Sequence, residues 1–126
     1  MSAFTDDELR YLRGERRLAR LATVGKDGTP HVTPVGWKYN PEHDTIEIGG
    51  YSMERTKKYR DVVRTGRAAV VIDDVVSVSP WKVRGVEIRG RAETVHQPAP
   101  LIRIHPERIR SWGLESEVQR HSRAAG

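Results

Sequence analysis

The sequence contains no cysteine, which removes disulfide frameworks and thiolate metal sites together. Long apolar runs are also missing. The longest, AAVVI from Ala68 to Ile72, is far short of the ~20 residues that a membrane-spanning helix needs. The opening MSAFTDDELRYL is acidic and has no apolar h-region, so no secretory signal is expected there. Aromatic residues make up 6% of the 126. That is sparse for a basic barrel that stacks single-stranded nucleic acid on aromatic platforms. The expectation is one cytoplasmic domain, long enough to bury a core without staples.

Basic residues, in contrast, are plentiful. Lys and Arg total 22 against 17 Asp and Glu, a formal net charge of +5, which suggests an anionic partner and directs attention to where the cations sit. TDDELRYLRGERR carries a capping box, with Thr5 as N-cap and Glu8 three residues on, and Leu9 and Leu12 supply an apolar stripe. A short helix ending around Gly14 is predicted. RLARLATV reads as a strand, GKDG as a turn, TPHVTPVGWKYN as a second strand and TIEIGGY as a third. Tyr59, Val62 and Val63 have helical spacing, and Gly66 stands where a C-terminal cap belongs. RAAVVIDDVV resumes strand character, and a loop is expected around SVSPWKVRG. In GVEIRGRAETV, Val86, Ile88, Ala92 and Thr94 alternate with Glu87, Arg89, Arg91 and Glu93, giving one buried and one wet face. LIRIHPERIRSWG adds a short strand before a turn at Pro106. About six strands with two short helices predict a mainly β fold, an antiparallel barrel that hides its edges by closing. The barrel domain is placed at residues 1–114, and residues 115–126 are expected to be a mobile tail.

Two stretches suggest a site. In SMERTKKYR, Arg55, Lys57, Lys58 and Arg60 crowd the start of the predicted helix, where the first amides lack helical partners. Cations oppose the macrodipole there by a few tenths of a kcal/mol each, so an external anion such as a phosphate would explain them. Paired with Glu54 and Asp61, the same residues read equally as a solvated basic face. In HVTPVGWKYN, Pro34 and Gly36 interrupt an apparently central strand beside Thr33, Trp37 and Lys38. Free backbone groups and an aromatic wall suit a flat heteroaromatic ring, and an edge strand protected by Pro34 fits as well.

Taken together, GTPHVTPVGWKYN, RTKKYRDV and VEIRGRAE resemble the pyridoxamine 5′-phosphate oxidase-like split β-barrels. Within them, they resemble the branch that binds the deazaflavin coenzyme F420 rather than FMN. The resemblance implies a homodimer with its cofactor in a groove between subunits. It implies phosphate contacts from Ser52, Arg55, Thr56, Lys57 and Lys58, and ring contacts from Thr33, Val35, Gly36, Trp37 and Lys38. Trp81 and Lys82 match a cofactor-contacting loop of that branch, and Trp112 a recurrent ending. Thr33 stands where FMN-binding oxidases tend to carry Arg, and no counterpart of the vitamin B6 substrate segment is visible, so pyridoxamine phosphate oxidation is not expected.

The implied function is an F420-dependent oxidoreductase that passes hydride to or from a small organic substrate, without a membrane or nucleic-acid partner. An FMN-dependent enzyme and a non-catalytic F420 carrier are the alternatives. The five histidines are scattered, no metal-ligand spacing or catalytic triad appears, and no catalytic acid, base or metal ligand is assigned.

Overall fold

The fold is known from a computed structural model that describes residues 1–114 and 120–125. Two helices, α1 (Asp6–Leu12) and α2 (Lys57–Thr65), accompany eight strands. The strands are β1 (Ala19–Val24), β2 (Pro30–Val35), β3 (Lys38–Asn40), β4 (Thr45–Ile48), β5 (Arg67–Val78), β6 (Trp81–Val95), β7 (Leu101–Trp112) and β8 (Arg120–Ala124). Every pairing is antiparallel, in the order β2-β1-β5-β6-β7-β4-β3. β2 and β3 lie at opposite ends of that order, yet only Gly36 and Trp37 separate them in the chain. The sheet must therefore curl until its ends meet, which makes it a barrel. The predicted mainly β barrel is the observed fold.

Ala19, Leu21, Ile46, Ile48, Val70, Ile72, Val86, Ile88, Ile102, Ile104 and Ile109 point inward and are almost fully buried. Met53, Tyr59 and Val62 pack on this core from the α2 side, and Phe4, Tyr11 and Leu12 from the α1 side. The alternation in β6 is as expected, with Val86, Ile88 and Ala92 buried.

Three local expectations need correction. The supposed central strand is an edge strand, because β2 pairs only with β1, and an edge tolerates the donor that Pro34 lacks. The loop around SVSPWKVRG is the outer part of a ribbon in which Val78 pairs with Trp81 across the Ser79–Pro80 turn. β7 passes through Pro106 without turning, since the register shifts at Gly90. A Cβ at Gly90 would lie 2.0 Å from the His105 carbonyl oxygen, so that bulge requires glycine. Within the expected tail, β8 pairs with β7 from Arg108 to Trp112. Residues 115–119 and 126 lie outside the described residues.

Candidate functional site

The corner that joins β2 to β3 carries three of the candidate residues. Gly36, Trp37 and Lys38 share a cavity of about 620 Å³ with Gly49, Gly50 and Ser52, which follow β4. A Cβ built on Gly36, Gly49 or Gly50 would meet nothing within 4 Å. These glycines therefore leave bare backbone facing open space, where a flat ring can approach closely. Ser52 holds a left-handed backbone (φ 50) just before a single 3-10 turn, Met53–Arg55. The cavity thus leads from Trp37 towards the start of α2. Glu47, also on its wall, is 4% exposed and accepts hydrogen bonds from Asn40 Nδ2 and Arg103 Nε, each at 2.8 Å. Burial pushes its carboxyl up, but those two donors outweigh burial and hold it below the ordinary glutamate range.

Trp37 also borders a second cavity of about 460 Å³, formed with the α1–β1 connection. Its indole Nε1 donates to the Arg17 carbonyl at 2.7 Å, which fixes the ring. Arg16, Gly36, Trp37 and Lys38 line both cavities.

At α2, Thr56 is the N-cap: its hydroxyl accepts from the Tyr59 amide at 3.3 Å and donates to the Met53 carbonyl at 2.7 Å. Its side chain is thereby used within the fold. Lys57 Nζ lies 3.1 Å from Asp61 Oδ1. The Asp61 side chain is 2% exposed and is met also by Thr23 Oγ1 at 3.0 Å and by Arg64. Burial raises the Asp61 carboxyl, but hydrogen bonds from Lys57, Thr23 and Arg64 lower it by more, so the net direction is down. Lys58, half-buried, has no ion pair among the described residues. The amides of Lys57 and Lys58 have no backbone acceptor there either.

A third cavity, about 450 Å³, adjoins this turn and is lined by Lys26, Asp27, His31 and Lys57. His31 Nε2 and Lys57 Nζ lie 2.7 and 3.1 Å from the point where a Cβ on Gly25 would sit. Both are ends of exposed side chains, so a larger residue at 25 would displace them from this cavity.

The candidate residues thus fall into groups. Gly36, Trp37, Lys38 and Ser52 share one cavity, with Arg55, Thr56, Lys57 and Lys58 immediately beyond it along the chain. Val35 is 7% exposed and belongs to the core, and Thr33 is half-buried in β2. Trp81 and Lys82 stand at the ribbon tip, where Trp81 is 66% exposed; neither lines the three cavities described. Sequence reasoning passed over Gly49, Gly50, His31 and Arg16. The Gly-Gly doublet closing TIEIGGY was the one visible signal.

The family model described as pyridoxamine 5′-phosphate oxidase matches residues 5–125. The chain belongs to the pyridoxamine 5′-phosphate oxidase family. It is 42% identical over 124 residues to the 5a,11a-dehydrotetracycline/5a,11a-dehydrooxytetracycline reductase of Streptomyces rimosus, a match covering 91% of this chain and 87% of the relative. Among solved structures, a conserved hypothetical protein of Mycobacterium tuberculosis superposes with a TM-score of 0.73 at 21% identity, over 89% of this chain and 86% of that one. An F420 reductase gives 0.61 at 17% identity, over 84% and 96%. A FAD-binding protein of Mesorhizobium loti gives 0.63 at 19% identity, over 86% and 91%. At these identities the structures speak for the split-barrel fold.

Proposed function

We propose that this protein is an oxidoreductase that uses the deazaflavin coenzyme F420 to reduce an unsaturated organic substrate. One observation carries the reading: the glycine-walled cavity runs from Trp37 and Lys38 to Ser52, beside a helix start whose amides and whose Lys58 have no partner among the described residues. A flat ring with a phosphorylated side chain fits that combination of bare backbone and anion site. The 42% identity to a reductase supports the class of reaction.

When bound, the reduced deazaflavin supplies a hydride, and the substrate takes up a proton to complete the two-electron reduction. In this reading Lys58 and the amides of Lys57 and Lys58 bind the phosphate. Gly36, Gly49 and Gly50 let the ring lie against the backbone, and the fixed Trp37 indole screens it from water. The fold carries no commitment to pyridoxamine phosphate as substrate, since family members share the barrel and differ in what they load into it.

We further place the working unit as a homodimer. Val76, Val78 and Trp81 are 54%, 75% and 66% exposed on the ribbon, an apolar tip that calls for a cover. A ribbon reaching a neighbouring subunit's groove would bring Trp81 and Lys82 to the cofactor, which the single chain does not do.

Fluorescence titration of the purified protein with F420 and, separately, with FMN tests the cofactor. Tighter binding of F420 is expected. A protein that purifies with FMN bound, or that prefers FMN, overturns the deazaflavin assignment. Turnover of 5a,11a-dehydrotetracycline with reduced F420, against a panel of other unsaturated ketones, then separates an enzyme from a carrier.

A further inference from the structure

We propose that the cavity between the α1–β1 connection and Trp37 seats the substrate, and that Arg16 selects a flat substrate bearing an anionic oxygen group, a carboxylate or an ionised enol. This deepens the proposed function and rests on it in one respect, that the glycine-walled cavity is filled by the cofactor.

The shape of the cavity favours a flat molecule. Leu12, Leu18, Trp37 and Tyr39 supply its apolar wall. Both aromatic rings are held: Trp37 through Arg17, and Tyr39 by a hydrogen bond from its hydroxyl to Asp44. Rigid aromatic walls bind planar ligands with little ordering cost.

The charges around the cavity favour an anion. Arg13, Arg16, Arg17 and Lys38 line it against one carboxylate, Glu15. Of the three arginines, two are already engaged. The Arg17 guanidinium is 3.3 Å from Asp74 Oδ1 and sits 4.3 Å over the Tyr11 ring. Arg13 lies 5.3 Å over the Tyr39 ring. Arg16 is exposed and, among the described residues, has no ion pair, hydrogen bond or aromatic partner. Its planar fork matches a carboxylate or an enolate–ketone pair with two parallel hydrogen bonds, which an ammonium does not reproduce.

Position completes the case. Arg16 lines both cavities, so an anion it binds lies beside both. Gly36 also lines both cavities and adds no side chain to the wall they share. A substrate anchored there presents its ring system to the glycine-walled cavity.

Anthraquinone-2-carboxylate and its neutral methyl ester, titrated calorimetrically into the cofactor-free protein, form the test. The wild type is expected to bind the acid roughly tenfold or more tightly than the ester, as a charge-assisted pair gives. Arg16→Ala and the size-matched Arg16→Gln should abolish that preference. Circular dichroism reports whether each variant is folded. Equal binding of acid and ester by the wild type overturns the proposal. So does a preference that survives in both variants. Failure of the wild type to bind F420 would sink the cofactor reading instead, because the acid–ester comparison needs no cofactor.

Discussion

Lys57 and Lys58 differ in what their ammonium groups meet, and that difference assigns them different work. Lys57 neutralises Asp61, whose side chain is 2% exposed. Its removal leaves a buried carboxylate with one cation fewer. Because the lysine itself is 48% exposed, the cost is discounted for solvent: Lys57→Met is expected to lower stability by about 1–2 kcal/mol in urea denaturation. Lys58→Ala should leave the denaturation midpoint in place and weaken F420 binding by roughly 1.5–3 kcal/mol, the range for a hydrogen bond to a charged group. An unaltered titration curve for that variant would remove the phosphate assignment. The pattern of charges is legible in RTKKYRDVVR, but the inward place of Asp61 is not. Spacing groups Val63 with Tyr59 and Val62 on the inner face of α2, yet Val63 is 65% exposed and Asp61, on the other side of Val62, is buried instead. The deciding partner is Thr23, 38 residues away on β1, and helical periodicity carries no information about it.

At the level of elements, α1 shows how much a local motif leaves unsaid. The capping box forms as Thr5 and Glu8 predict, with the Glu8 amide donating to Thr5 Oγ1 at 3.1 Å and the Thr5 amide to Glu8 Oε1 at 2.9 Å. The same Glu8 is 0% exposed and lies 2.5 Å from Arg123 Nη2 on β8. Arg123 also donates to the Ala3 carbonyl at 3.0 Å. The pair thus clamps the first helix to the last strand. Burial raises the Glu8 carboxyl, but the donors from Arg123, Ser111 and Thr5 together bring it below its ordinary value. A carboxylate lowered on folding contributes its full stability above the unfolded pKa and loses it as pH falls through the folded one. Asp74, held down chiefly by Arg84, follows the same sign. The melting temperature is therefore expected to drop on acidification below about pH 4.3, and Glu8→Gln should flatten that drop. A variant profile parallel to wild type would assign the acid sensitivity elsewhere. Arg123→Ala is expected to cost about 2 kcal/mol at neutral pH. That is below the range for a fully buried pair, because the arginine is 31% exposed.

For the whole molecule, composition and alternation sufficed for the fold class. Short hairpins, one clean amphipathic strand and two capped helices leave few options besides a closed antiparallel sheet. The path of the sheet was less legible. β1 pairs with β5, and β4 with β7, across gaps in sequence that local pattern does not bridge. A strand that reads as central turned out to be an edge for that reason. The site was half legible: Gly36–Lys38 and Ser52 do share a cavity, whereas Trp81 and Lys82 stand away from it on the ribbon. If that ribbon completes a second subunit's site, sedimentation should give a dimer, and Trp81→Ser should weaken self-association and F420 binding together. A monomeric wild type that binds F420 normally would confine the site to one chain.

The clamp between Glu8 and Arg123 has a further outcome for motion. Because the first helix and the last strand are joined through one buried carboxylate, neither can peel away without leaving the other's charge stranded. Fraying at one end should therefore carry the other end with it. In deuterium labelling, the amides of 6–12 and 120–124 would then be released at one common rate, and cutting the clamp would give each end a rate of its own.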